Sequence, residues 1–191
     1  MSASLVCKVL KFMKKSFGSV CLEDVNYLGS GAHGKLYSCC SLAIKVIDLS
    51  SVSVCAYKRE LHLSVKLSEW GVGPTVYILN PVVWSYDNIP RFGFIFMQLL
   101  SESMYDKFSV GVDLLRVHVD AIVSKLKIVS VFGYLLDVKA TNIMYDVNDR
   151  VYLVDPGYYS SVRFGDRCSK SSSVENLSIM LFMLYGSLYS C

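Results

Sequence analysis

The hydrophobic pattern of this 191-residue chain changes its period near residue 100. Before that point, short runs rich in Val, Ile, Tyr and Phe predict β-strands. They read VNYLGSG, GKLYSCC, LAIKVID, TVYIL and FGFIFMQ, all between residues 25 and 98. One interruption, residues 56–69, has helical spacing and ends just before Gly71, a residue that commonly follows the end of a helix.

Beyond residue 100 the apolar residues recur with a helical period. Leu114, Val117, Ala121, Ile122, Leu126 and Val129 predict a helix over 113–132 with one buried face. Two short strands, NIMYD and VYLVD, and a last apolar helix at about 174–189 complete the pattern.

This order of elements predicts an α+β fold. A small antiparallel sheet with one helix would occupy about residues 20–98, and a mainly helical part would occupy 103–191. We expect a single domain of two lobes, with a cleft where they join.

Composition excludes several classes of protein. Hydrophobic residues make up 53% of the chain and the mean hydropathy is +0.41. The longest uncharged apolar stretches, 71–86 and 176–191, are nevertheless shorter than the roughly 20 residues that cross a bilayer, so no membrane span is expected. Lysines 8, 11, 14 and 15 interrupt any apolar core of a secretory signal.

Cysteine spacing and net charge indicate the cellular compartment and whether nucleic acid is an expected partner. The seven cysteines contain no CxxC pair, which predicts reduced thiols in a cytoplasmic protein. The net charge of +3 comes without a long basic run, so no nucleic-acid surface is indicated.

The segment LGSGAHGKLYSC, residues 28–39, fits GxGxxG through Gly29, Gly31 and Gly34. A dinucleotide-binding loop or a Walker A loop must open into a helix. Here the loop is followed by two runs typical of strands, and Leu36 stands where Walker A needs Ser or Thr. The remaining interpretation is a glycine loop that closes a hairpin over phosphates.

A lysine lies on the strand that follows this hairpin. Ala43, Ile44 and Lys45 form an AIK sequence, and a lysine among apolar strand residues is costly to bury unless it is paired. The predicted helix supplies Glu60 as the partner. The alternative is that Lys45 extends from an edge strand to solvent and that Glu60 is solvated.

A second group of polar residues lies near the two short strands. LLDVKATNIMYD contains Asp137, Lys139 and Asn142 as DxKxxN, and YLVDPG contains Asp155 in a DxG sequence. Phosphoryl transfer needs a carboxylate that orients the attacking hydroxyl, oxygen ligands for magnesium, and cations that offset the charge of the transferred group. These residues supply those groups in the order that a kinase uses.

The sequence thus resembles the eukaryotic protein kinase superfamily over nearly its whole length. DVKATNIMYD is similar to the DIKxxNLL segment of the vaccinia-related kinase branch, a neighbour of the casein kinase 1 group. DRVYLVDPGYY looks like the QVYLVDYGL strand of that branch, and SSVENLSIMLFMLYG resembles its helix after the activation segment. Poxviruses and their hosts carry such proteins; for a viral protein the implied location is the host cytoplasm.

The resemblance implies a role for each matching residue. ATP binding would involve Gly29, Gly31 and Gly34 over the phosphates, Lys45 on the α and β phosphates, Glu60 holding Lys45, Met97 behind the adenine, and Gln98 to Leu100 as the hinge. Catalysis would involve Asp137 as the base, Lys139 on the γ-phosphate, and Asn142 and Asp155 as ligands of Mg²⁺. The interval from Lys45 to Glu60 is shorter than in the family, so Glu69 is the alternative partner.

Three departures from the family bear on activity. The HRD triplet is replaced by Leu135, Leu136 and Asp137, and DFG is replaced by Asp155, Pro156 and Gly157. The segment after Gly157 is short and has no APE sequence, so a reduced helical lobe is expected.

The predicted function is therefore a serine/threonine protein kinase with ATP and Mg²⁺ as cofactors and a protein as substrate. The first alternative is a pseudokinase, a kinase mimic that binds and blocks a host kinase or its substrate. The second is a small-molecule phosphotransferase, against which Lys139, two residues after the proposed base, argues.

Overall fold

The structure is a computed structural model that describes residues 25–31, 34–110, 116–132 and 138–155. It is mixed α and β, as predicted. The described residues form two compact units, the first from residues up to 62 together with 76–99 and the second from residues 63–75 together with those from 100 onward. In the described ranges no helix is both long and apolar enough to cross a membrane. The helix predicted at 174–189 lies outside these ranges.

The first unit contains a five-stranded antiparallel sheet. Its strands are β1 (Val25–Gly31), β2 (Gly34–Cys39), β3 (Leu42–Asp48), β4 (Val82–Tyr86) and β5 (Ile89–Gln98). Their spatial order is β1-β2-β3-β5-β4. Four of the five predicted runs fall on these strands, because their β-branched and aromatic residues fit a pleated and partly buried surface.

The predicted strand TVYIL, residues 75–79, is wrong. Only one bridge forms there, between Val76 and Met97, with a hydrogen bond from the Tyr77 N–H to the Phe96 carbonyl. The earlier part of β5 is already paired with β4, so only its last residues remain for this segment.

Strand β4 was absent from the predicted strands. It joins β5 through a tight turn in which Asp87 and Asn88 both have positive φ, 50° and 61°. Two positive φ values suit the right-handed twist of a two-residue hairpin, and Asp and Asn tolerate them better than most residues.

The two faces of the sheet have different partners. On one face Tyr37, Ile44, Val46, Phe94 and Phe96 form a hydrophobic core. The register of β3 and β5 identifies the residues on the opposite face. There Ala43 lies opposite Met97, Lys45 opposite Ile95, and Ile47 opposite Gly93. This second face meets the helix described next.

Helix α1 (Val54–Glu69) is the helix predicted at 56–69. It begins two residues earlier because the Ser53 hydroxyl accepts a hydrogen bond from the Ala56 N–H, as an N-cap residue does. It ends where predicted, at Gly71, whose φ is +65°. The Val72 N–H bonds to the Leu67 carbonyl and the Gly71 N–H to the Ser68 carbonyl, which is a Schellman motif.

In its described residues, the second unit contains a three-stranded sheet and two further helices. These elements are β6 (Glu102–Ser103), α2 (Met104–Ser109), α3 (Arg116–Val131), a 3₁₀ turn at Ala140–Asn142, β7 (Ile143–Tyr145) and β8 (Val151–Leu153). Both strands predicted for this part are present and pair with each other. Its core includes Leu67, Met104, Ile122, Ile143 and Leu153.

The buried face of α3 differs from the predicted one. Ile122, Leu126 and Val129 are buried, but Val117 is 63% exposed and His118 is buried instead. The buried stripe runs through residue 118, which lies four residues before Ile122, and residue 117 is turned away by about 100°. Leu114 lies outside the described residues.

Candidate functional site

The glycine-rich segment forms a hairpin in which Gly31 pairs with Gly34. A Cβ atom at Gly34 would lie 2.5 Å from the Val46 carbonyl oxygen, so any side chain there would push β2 away from β3. At Gly29 and Gly31 a Cβ would meet nothing within 4 Å. Gly34 is thus required by the close approach of two strands, whereas Gly29 and Gly31 leave an open backbone surface.

Lys45 and Glu60 form an ion pair in the first unit. Lys45 Nζ lies 2.6 Å from Glu60 Oε1, and the two side chains are only 18% and 12% exposed. Lys45 lies on β3 between Ala43 and Ile47, both of which are buried. A lysine in such apolar surroundings is stabilised by a carboxylate in direct contact. The predicted pairing of these two side chains is therefore present.

The alternative partner, Glu69, has a different contact. Its carboxylate lies 2.7 Å from Lys66 Nζ, three residues earlier on the same helix, and both side chains are largely open to solvent. Of the two candidate glutamates, Glu60 is the one that contacts Lys45.

The predicted adenine and hinge residues lie at the end of β5. Met97 and Gln98 pair with Ala43 and Leu42 on β3. Leu99 donates its N–H to the Ser41 carbonyl at 3.2 Å, and Leu100 is half-buried. The chain is thus held against β3 up to the residue before Leu100.

Asn142 and Asp155 are brought to the same end of the β7–β8 hairpin. Ile143 pairs with Leu153, and just beyond this pair the Val154 N–H donates to the Asn142 carbonyl at 2.9 Å. Asn142 is buried and Asp155 is exposed, with a φ of 52°. An amide and a carboxylate are oxygen ligands of the kind that Mg²⁺ prefers. Both residues predicted as metal ligands thus carry oxygen atoms of the type that Mg²⁺ prefers, and their backbones lie at the same end of the hairpin.

The remaining predicted catalytic residues are only partly described. Lys139 is exposed and its carbonyl accepts a hydrogen bond from the Asn142 N–H at 2.8 Å, so the 3₁₀ turn fixes the backbone of Lys139 relative to that of Asn142. Asp137, Pro156 and Gly157 lie outside the described residues. Within the described ranges, no group of three or more His, Cys, Asp or Glu side chains is placed to hold a metal ion.

A further charged cluster in the second unit was not predicted. Lys107 Nζ lies 2.5 Å from Asp149 Oδ1 and 3.3 Å from Glu102 Oε1, over the ring of Tyr145. His118 Nε2 lies 3.5 Å from Asp149 Oδ2. The hydrogen bond from Lys107 holds the pKa of Asp149 below its usual value, and the same bond raises the pKa of Lys107.

The sequence carried little signal for this cluster. Its members come from β6, α2, α3 and the β7–β8 turn, and they meet only when these elements pack. A cation held between two carboxylates and an aromatic ring ties these elements together, which is a structural role.

Comparison of the sequence with models of known protein families gives no match, and comparison with curated proteins gives none either.

Proposed function

We propose that this chain is a serine/threonine protein kinase with a bilobal kinase-like fold, which transfers the γ-phosphate of ATP to a protein hydroxyl with Mg²⁺. The observation that carries the proposal is the Lys45–Glu60 ion pair beside the glycine hairpin. Lys45 lies opposite Leu36, two residues from Gly34 along β2, and is held by Glu60 at 2.6 Å. An ordered cation next to an open glycine backbone is an arrangement that favours the binding of phosphate groups.

The charge balance of phosphoryl transfer supports the same assignment. The transferred group spreads negative charge over its oxygens, so catalysis depends on positioning and on nearby cations. Lys45 would hold the α and β phosphates because Glu60 fixes its ammonium group. Lys139, exposed at the start of the 3₁₀ turn, would reach the γ-phosphate.

The metal ligands would be Asn142 and Asp155, whose backbones lie side by side at the end of the β7–β8 hairpin. A bound Mg²⁺ would neutralise charge between the β and γ phosphates. Asp137 would accept the proton of the attacking hydroxyl, and the 3₁₀ turn that bonds Asn142 to Lys139 would fix the metal ligand relative to the lysine that contacts the γ-phosphate.

The test is a transfer assay with purified protein, Mg-ATP and generic protein acceptors. Asp137→Asn should lower the rate by about 10² to 10⁴, the usual effect of removing an oriented base. Asp87→Asn, at the tip of the exposed β4–β5 turn, is the matched control and should leave the rate unchanged. Transfer that is equal in wild type and Asp137→Asn would contradict the proposal.

The kinase mimic is the second candidate, favoured by Leu135 and Leu136 before Asp137 and by Pro156 after Asp155. Proline fixes its own φ and lacks an N–H, so it restrains the loop beside the proposed metal ligand. Binding of Mg-ATP without transfer to any acceptor would support this candidate, with a host kinase or its substrate as the partner to be captured.

A further inference from the structure

Tyr57 of helix α1 is a fully buried polar side chain that the proposed site does not use. Its hydroxyl accepts a hydrogen bond from the Val82 N–H at 2.9 Å. It lies 3.1 Å from the carbonyl oxygens of Val82 and Phe94 and can donate to one of them. Since Val82 and Phe94 are register partners, this one hydroxyl ties α1 to the backbone of both β4 and β5.

The ring of Tyr57 is seated against a glycine. A Cβ atom at Gly93 would lie 2.8 to 2.9 Å from three atoms of the ring, closer than real Cβ contacts. The ring of Tyr57 can therefore pack against β5 only because residue 93 is a glycine and has no side chain. The ring and the hydroxyl together define one position of the helix along the strand.

This attachment point lies next to the Lys45–Glu60 pair. Tyr57 and Glu60 are three residues apart on α1, so their side chains share a face of the helix. On the sheet, Gly93 lies opposite Ile47 and Ile95 opposite Lys45, two residues further along the same face. Two residues of strand span roughly 7 Å. The tyrosine therefore fixes the helix about one turn from the carboxylate that must reach Lys45.

We propose that Tyr57 is a positioning residue for the nucleotide site: by anchoring α1 to β4 and β5, it holds Glu60 in contact with Lys45. A helix freed from this anchor can slide or rotate on the sheet, and a shift of about 1 Å would stretch the 2.6 Å contact beyond hydrogen-bond distance. The nucleotide part of this inference rests on the proposed function. The anchoring of the Lys45–Glu60 pair by Tyr57 is independent of the proposed function.

The first experiment measures the reactivity of Lys45 in the absence of nucleotide. The protein is treated briefly with an acetyl N-hydroxysuccinimide ester, and acetylation of each lysine is quantified by mass spectrometry. An ammonium group held against a carboxylate reacts slowly because the reagent attacks the neutral amine. Tyr57→Phe, which removes only the hydroxyl, should raise Lys45 labelling about fivefold, the factor that corresponds to one ordinary hydrogen bond.

Three comparisons separate positioning from general loosening. Glu60→Gln sets the maximum effect, and Tyr57→Phe should add nothing to it in the double variant. Tyr37→Phe removes the hydroxyl of another buried tyrosine, opposite Ile44 on the other face of the sheet, and should leave Lys45 labelling unchanged. Lys58, exposed on the same helix, corrects for reagent dose.

Lys125 reports global loosening, because it is partly buried in the second unit and donates to the Gly71 carbonyl. Unchanged Lys45 labelling in Tyr57→Phe would overturn the proposal. A parallel rise at Lys45 and Lys125 would do so as well, since it would mean that the hydroxyl only stabilises the fold. Gly93→Ala displaces the ring by a different route, and it should raise Lys45 labelling without changing Lys125.

The second experiment measures the affinity for Mg-ATP in the same variants. Tyr57→Phe should weaken binding severalfold in the wild-type background and have no effect in the Glu60→Gln background. An equal weakening in both backgrounds would show that Tyr57 does not act through Glu60. A wild-type protein that binds no Mg-ATP contradicts the proposed function, and the labelling experiment then still decides whether Tyr57 positions the pair.

Discussion

Asp155 follows the end of β8. It has an exposed carboxylate and a positive φ of 52°. Residues other than glycine adopt this region at a cost, although Asp and Asn do so more readily than most. Such strain persists where the surrounding structure holds the residue in place, and functional sites are common among such places. Asp155 is therefore the residue at which the proposed metal site is most directly tested.

We predict that Asp155→Asn abolishes the stabilisation of the protein by Mg-ATP over that given by ATP without metal. A ligand raises the melting temperature in proportion to its binding, so loss of a metal ligand removes the metal-dependent part of the shift. Asparagine keeps the tolerance for positive φ, and the metal-dependent shift of each variant is measured from that variant's own melting temperature without ligand.

The control for this prediction is Asp87→Asn in the β4–β5 turn. Asp87 is also exposed and has a similar φ of 50°, so the two substitutions change charge and backbone preference alike. A metal-dependent shift that survives in Asp155→Asn would remove this residue from the metal site. Equal loss in both variants would trace the effect to net charge.

At the scale of single elements, the end of α1 depends on Gly71, whose φ is +65° in the Schellman motif. An L-residue with a Cβ pays about 1 to 2 kcal/mol in this conformation. We predict that Gly71→Ala lowers the free energy of unfolding by about 1 kcal/mol. Urea denaturation followed by circular dichroism measures the change.

Space at this position is not the cause, because a Cβ at Gly71 would meet no atom within 4 Å. Gly71→Asn should therefore lower the free energy of unfolding by less than Gly71→Ala does, because asparagine tolerates the left-handed region. If both variants lose the same free energy of unfolding, the left-handed backbone conformation is not the reason that glycine is needed at this position.

The same element shows what the sequence could predict. The helix and its end follow from local patterns, a helical period and a glycine, and these need no knowledge of the rest of the chain. The Lys45–Glu60 pair was predictable only in part: a buried lysine needs a carboxylate, but the helix offers both Glu60 and Glu69, and the sequence left the choice between them open. The pairing of Asn142 with Val154, which sets Asn142 beside Asp155, follows from two short strands that were both predicted.

Other features depended on contacts between distant segments. The segment 75–79 has strand-like composition, but β5 has too few free residues to pair with it. The start of α2, in contrast, is set locally. A capping box between Ser103 and Asp106 defines it, and this signal was present in the sequence but was not recognised. The role of Tyr57 depends on Gly93, and nothing in either local sequence indicates that the two residues meet.

At the scale of the whole molecule, both units hold aspartates whose pKa is lowered. The Ser50 hydroxyl lowers the pKa of Asp48 in the first unit, and the Ser103 hydroxyl lowers that of Asp106 in the second. Hydrogen bonding from Lys107 lowers the pKa of Asp149. A carboxyl group with a lowered pKa in the folded state stabilises the fold above its unfolded pKa, here 3.8, and this stability is lost as the pH falls through the folded pKa.

We therefore predict that the free energy of unfolding falls steeply once the pH drops below about 4. Urea denaturation at pH 6, 4 and 3 gives this dependence. Asp106→Asn should be less stable than the wild type at pH 6 by about 0.5 to 1 kcal/mol, because the capping box loses its charged acceptor. The difference in stability between variant and wild type should narrow as the pH falls below 3.8, and it should disappear once the pH is below the lowered folded-state pKa of Asp106, where the wild-type carboxyl group is protonated. A gap that stays constant from pH 6 to pH 3 would mean that Asp106 stabilises the helix through packing or propensity, and that its ionisation contributes nothing.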